Sequence, residues 1–160
     1  MESYFSQLYQ DNITRGAKVK TKKIVYNGCF GGFGLSEKAV LRYAEIKGFK
    51  VYPKKEGILT IYYLVPEGER FPFDKYDRIW HQLTEETKQE YNRAYDQQIF
   101  NENDIARDDE TLVQVVEELG KDANGTCADL VIVEIPDDVE WEITEYDGNE
   151  TVEEVHRRWR

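Results

Sequence analysis

Four glycines, Gly28, Gly31, Gly32 and Gly34, stand within seven residues of the stretch KKIVYNGCFGGFGLSEKAV. Glycine in regular structure costs roughly 0.5–1 kcal/mol relative to alanine, so such a cluster marks unusual dihedrals or close backbone approach. Placed between a strand and a helix N-terminus, a loop of this kind can aim several backbone N–H groups at one anion, helped by the helix dipole. On that reading the backbone amides of Gly31, Gly32, Phe33, Gly34 and Leu35 cradle a phosphate, Phe30 or Phe33 stacks on a base, and Asn27, Gly28 and Ser36 belong to the same ligand-binding set. The spacing is neither GxGxxG nor GxxxxGK[ST], so it points to no named nucleotide fold. A tight loop whose phenylalanines plug the core explains the same residues, and both readings stay open.

Cationic groups that could complete an anion site are few. Arg157 and Arg158 lie in the terminal HRRWR, inside the most acidic part of the chain, and could give bidentate phosphate contacts. They also suit the C-terminal end of a helix dipole. Arg107 precedes Asp108 and Asp109, a trio able to hold a phosphate and a ribose, although the two acids equally well cap a helix. Glu140, Glu142 and Glu145 lack any sign of the desolvation that acid–base work requires. Cys29 and Cys127 are the only cysteines and form no CxxC pair, so they read as buried or half-buried thiols. With only His81 and His156 beside them, a structural zinc site is not expected, nor is any cofactor.

The elements that must position these groups can be read from periodicity and punctuation. Residues 23–26 (KIVY) form a short β-rich run, and Ser36 caps a helix ending near Lys47 at Gly48. FKVY (49–52) and ILTIYYLV (58–65) read as strands joined by a PKKEG turn. Residues 66–104 read as an insert or lid containing a helix capped at Thr84. Asp108 or Asp109 caps a further helix whose stripe is Leu112, Val115, Val116 and Leu119, stopped by Gly120. ADLVIVEIP (128–136) reads as a strand buried on both faces, residues 137–148 as a turn and alternating strand, and the last eleven residues as a short helix. The fold class expected is α/β or α+β: one domain over 1–160, with residues 1–21 a flexible lead-in and a mixed sheet of about five strands packed with helices.

The 160 residues carry a net charge of −11, unevenly placed. Residues 1–50 hold nine Lys/Arg against four Asp/Glu, and residues 101–160 hold five against nineteen. Direct DNA binding is not expected of so acidic a surface. A nucleic-acid decoy that docks on a basic host protein is one alternative. No apolar run reaches the roughly 18–20 residues of a membrane span, and the N-terminus lacks a signal-peptide pattern.

KIVYNGCFGGFGLS, together with LVQVVEELG and ADLVIVEIPDDVEWEITEYDG, resembles a widespread family of small uncharacterised proteins encoded by bacteriophages and prophages. The resemblance covers most of residues 23–47 and 105–159 and brings no site residues with it. It implies an accessory, anti-defence role in the host bacterial cytoplasm. The expectation is a non-catalytic protein that binds and sequesters a small phosphate-bearing, nucleotide-like immune messenger, with Arg157 or Arg158 balancing its charge and Arg107 among the ligand-binding residues. The alternatives are the acidic, nucleic-acid-mimicking inhibitor of a host defence protein and a small hydrolase or transferase. Self-association is open.

Overall fold

Thr21–Asn27 (β1) runs antiparallel to Leu130–Pro136 (β5), in register from Thr21 opposite Pro136 to Asn27 opposite Leu130. These are residues of a computed structural model that describes 19–155; most of the expected lead-in and both Arg157 and Arg158 lie outside the described residues. Ser36 caps Glu37–Lys47 (α1) by accepting from Ala39 N–H, and Gly48 ends it in the left-handed conformation. Asp109 caps Glu110–Leu119 (α4), whose apolar stripe buries Leu112, Val113, Val115 and Val116. α4 packs on β1 and β5 while α1 packs on α4. The core is thus Val25, Leu35, Val40, Leu112, Val115 and their neighbours.

Tyr52–Glu56 (β2), Leu59–Tyr63 (β3) and the two-residue Ile99–Phe100 (β4) form a second antiparallel sheet. Between β3 and β4 the chain makes a helical excursion through Phe73–Asp77 (α2) and Glu85–Gln98 (α3), the latter capped by Thr84. Its aromatic rings pack on one another: Phe71 lies 4.9 Å from Phe73 and 5.0 Å from Tyr76, and Phe73 lies 5.1 Å from Tyr91. Tyr63 of β3 joins that cluster through Phe73, which ties residues 66–98 to the sheet. Trp141–Tyr146 (β6) and Asn149–Glu154 (β7) complete the described chain as a hairpin, with β7 packed against β1.

The protein is therefore one mixed α/β domain, with seven strands in three small sheets and four α-helices among the described residues. Several details differ from the sequence expectation. The strands do not share one mixed sheet, and every pairing described is antiparallel, because β1 takes a partner more than 100 residues away. PKKEG is not a turn: Pro53–Glu56 belong to β2, and the chain reverses at Gly57 and Ile58. β5 is only half-buried, since a strand paired with β1 alone leaves part of its surface uncovered. Residues 149–154 form a strand where a helix was expected. The apolar spacing of Val152 and Val155 suits a helix turn, but Asp147 (φ 50°) and Gly148 (φ 82°) make the two-residue turn that pairs β7 with β6.

Charge joins the two ends of the chain. Lys23–Glu117, Lys38–Asp122, Arg42–Glu118 and Lys47–Asp109 link the basic first third to the acidic last third. Each exposed pair is weak alone, yet together they draw four acids away from any phosphate-like array. Asp109 combines two roles, since Oδ1 accepts from Thr111 and Leu112 N–H and Oδ2 accepts from Lys47 at 2.8 Å. Burial alone would push its carboxyl up, but Lys47 and the capped amides outweigh burial and hold it below its ordinary value. Its contribution is therefore present above the unfolded pKa of about 3.9 and is lost as pH falls through the lower folded value. Asp109→Ala is expected to cost about 1 kcal/mol at pH 7, and urea titrations should show that difference closing below about pH 4. A difference unchanged at pH 3 would contradict this account.

Candidate functional site

Residues 28–34 cross between β1 and α1 in contact with two other backbone segments. Residues 30 and 31 form a turn, and Gly31 (φ 148°) and Gly32 (φ 92°) take left-handed dihedrals. A Cβ on Gly31 would fall on the Cys127 carbonyl oxygen and lie 2.9 Å from Cys127 Cβ. A Cβ on Gly148 would fall on Gly32 N and lie 2.7 Å from Gly31 N. On the other side, Gly125 N–H donates to Gly34 carbonyl at 2.9 Å, and its Cα leaves no room for a side chain. The glycine cluster thus lets three backbone segments meet without intervening side chains. Two of its partners, Gly125 and Gly148, lie far away in sequence.

Asn27 and Arg107 build the floor beneath this loop. Asn27 is wholly buried; its Nδ2 donates to Cys29 and Gly148 carbonyls, and its Oδ1 accepts from Asp129 N–H at 2.8 Å. Its backbone N–H donates to Glu150 Oε2 at 2.8 Å. Arg107 grips the same buried carboxylate with both arms of its guanidinium, at 2.8 and 2.9 Å. The guanidinium also lies 3.4 Å from the centroid of the Phe33 ring. Asn27 and Arg107 are therefore committed internally and do not offer themselves to a ligand, contrary to the sequence expectation. The physical reason is burial: such groups need partners inside the protein, and Glu150 supplies them.

The remaining loop residues do border open space. A cleft of about 650 Å³ is lined by Gly31, Gly32, Phe33, Gly34, Leu35 and Ser36 on one side. Residues of the β2–β3 hairpin and its surroundings, notably Lys55, Ile58, Leu59 and Tyr62, contribute to the same lining, as do Glu37, Glu102 and residues 124–128. The N–H groups of residues 31–35 donate to no other group among the described residues, and the nitrogens of Gly31 and Gly32 lie against Gly148. Ser36 is already engaged, capping α1 and donating from Oγ to Asp122 carbonyl. Phe30 is 65% exposed and is not among the cleft residues, and Gly28 borders a separate, smaller cavity with Tyr26, Val133 and Asn149. The structure thus brings six of the expected residues together, separates Asn27, Gly28, Phe30 and Arg107 from them, and leaves Arg157 and Arg158 outside the described residues.

Electrostatically the cleft is mixed. Lys55 is its one cation among the described residues, set against Glu37 and Glu102. Burial pushes the Glu102 carboxyl above its ordinary range. Burial, reinforced by Glu102 and Glu37, pushes the Tyr62 hydroxyl up to about 12, so it stays protonated at neutral pH. Sequence reasoning missed Lys55, Tyr62, Glu37 and Glu102 because nothing in a strand or first-turn pattern distinguishes a cleft residue from a surface one. The Asn124–Gly125 turn signal was the one available hint of the third backbone segment. Cys127 is exposed and Cys29 half-buried, so the expectation of two sheltered thiols fails for Cys127. No group of three or more potential metal ligands is gathered among the described residues, and no described helix is long and apolar enough to cross a membrane. Comparison of the chain with protein-family models, with curated proteins and with solved structures finds no match.

Proposed function

We propose that the protein is a non-catalytic phage accessory protein that binds and sequesters a small phosphate-bearing, nucleotide-like ligand in the cleft beside the glycine loop. One observation carries this reading: three loop amides, those of Phe33, Gly34 and Leu35, have no acceptor among the described residues and belong to residues lining a cleft of about 650 Å³. Clefts of roughly 300–1,000 Å³ suit small ligands, and unpaired backbone donors suit an anion. Lys55 supplies the cation that Arg107 cannot, while Glu37 and Glu102 oppose a highly charged polyphosphate. A ligand with a single phosphate group, monoester or cyclic diester, fits this balance better than a diphosphate. Ile58 and Leu59, 97% and 67% exposed at the hairpin tip, give the cleft an apolar rim for a base. The phage setting rests on the sequence resemblance at both ends of the chain.

Native mass spectrometry of the protein purified from phage-infected bacteria tests the reading. A bound small molecule that contains phosphorus and is released intact on heating is the expected result. Lys55→Ala should retain about tenfold less of it, the loss of roughly one charge-assisted hydrogen bond. Release of a chemically altered product would favour an enzyme. Ligand-free protein, with no nucleotide bound on addition, would overturn the proposal.

A further inference from the structure

The strand β5 (LVIVEIP) has the composition of an interior strand, but among the described residues it is paired on one side only. Its hydrogen-bond phase is fixed by the flanking residues. Gly28 N–H donates to Asp129 carbonyl and Asp137 N–H donates to Lys20 carbonyl, so Tyr26–Val131, Ile24–Val133 and Lys22–Ile135 are the pairs that exchange bonds with β1. The alternate residues, Leu130, Ile132, Glu134 and Pro136, aim their backbone groups at the opposite edge. Leu130 N–H donates to Asn124 Oδ1 at 3.0 Å, and Pro136 has no N–H while its carbonyl accepts from Val139. Between them, the backbone groups of Ile132 and Glu134 have no partner among the described residues. Natural edge strands are blunted by lysine, by a bulge or by a cover. β5 carries no lysine and its register with β1 is continuous; α4 packs more on β1 than on β5, and β7 packs on β1. No residue of β5 is fully buried.

We propose that a second copy of this chain covers the edge, β5 antiparallel to β5 about a two-fold axis at Val133. In that register Ile132 faces the partner's Glu134 and Glu134 faces the partner's Ile132, each pair exchanging both of its bonds, and the two β1–β5 ladders become one continuous sheet. The donor pattern selects a copy over a foreign strand, because Leu130 and Pro136, the two positions with no N–H to give, face each other across the axis. Val133 meets the partner's Val133 and Val131 meets the partner's Ile135, so the opposite face of the seam is apolar. Glu134 is the only charge on the strand; it stands opposite Lys23 of β1 and accepts from the Thr21 hydroxyl, so its charge is balanced before the copies meet. This interface is independent of the nucleotide reading above and stands or falls without it.

Sedimentation of the full chain tests it. A monomer–dimer equilibrium is expected, and Glu134→Pro should weaken it at least about tenfold, since proline removes an inter-chain donor from each copy yet is tolerated where an edge N–H points outward. A cross-linking test does not depend on the folding of that variant. With Cys29→Ser and Cys127→Ser in place, Val133→Cys should form an inter-chain disulfide on mild oxidation, because residue 133 faces itself in a non-hydrogen-bonded pair with Cα atoms about 4.5 Å apart. Ile135→Cys should not, since it lies opposite Val131 of the other copy. A chain that stays monomeric at millimolar concentration overturns the proposal. So does a dimer that Glu134→Pro leaves unchanged, or cross-linking that is equally fast from positions 133 and 135.

Discussion

Arg107→Ala is expected to lower the unfolding free energy by about 3–5 kcal/mol, the cost of leaving a buried carboxylate uncompensated. Glu150 is 8% exposed and accepts from both arms of Arg107 and from Asn27 N–H, so it has little access to water when the guanidinium is removed. The same variant uncovers the face of Phe33 on which the guanidinium rests, loosening one wall of the cleft. Arg107→Met combined with Glu150→Gln should recover much of the loss, because the glutamine carbonyl still accepts from Asn27 while no charge is buried. Urea unfolding at pH 7 measures all three proteins. A cost below about 1 kcal/mol for Arg107→Ala would mean that Glu150 is solvated in solution, and the floor of the glycine loop would need another explanation.

Gly148→Ala is the second large effect. The residue has φ 82°, and a methyl there would fall on Gly32 N and lie 2.7 Å from Gly31 N. Left-handed strain of about 1–2 kcal/mol adds to an overpacking cost of about 1–3 kcal/mol, because the obstacle is backbone and cannot rotate away. Gly31→Ala faces the same two costs against Cys127. Gly32→Ala is the control: its φ of 92° is strained, but nothing lies within 4 Å of its Cβ, so about 1–2 kcal/mol is expected. Chemical denaturation should rank Gly148→Ala and Gly31→Ala well below Gly32→Ala in stability. Equal costs at the three positions would show that strain alone matters and that the β6–β7 turn does not press on the loop.

Local order was legible in the chain where it depends on neighbours in sequence. Ser36, Thr84 and Asp109 cap their helices through side-chain oxygens that reach only two or three residues ahead, so a single residue type reports the boundary. The stripe Leu112, Val115 and Val116 identifies α4 for the same reason, and the β-rich run of residues 23–26 identifies the centre of β1. The mixed class of the fold follows from those elements. Their pairing does not. Antiparallel partners of β1 and β5 are set by which faces must be buried together across more than 100 residues, and periodicity carries no record of the partner. The terminal strand shows the conflict most plainly: Val152 and Val155 satisfy a helical spacing, and only the turn at Asp147 and Gly148 decides for a ladder with β6.

The glycine cluster divides in the same way. The sequence announced that the backbone between β1 and α1 must be unusual, since only glycine accepts the dihedrals of Gly31 and Gly32 cheaply. Tertiary structure decided what the unusual backbone meets: Cys127, Gly125 and Gly148, each delivered by a distant turn. It also decided which charges are free. Arg107 looked available because a guanidinium in sequence has no visible partner, but burial beside Glu150 claims it, leaving Lys55 as the cleft's cation among the described residues. Tyr62 reads from sequence as one more core aromatic, and its ring is that. Only the packing of β3 against β4 places it in the wall of the cleft with Glu102 and Glu37, because solvent access depends on the gaps between elements rather than on any residue's type.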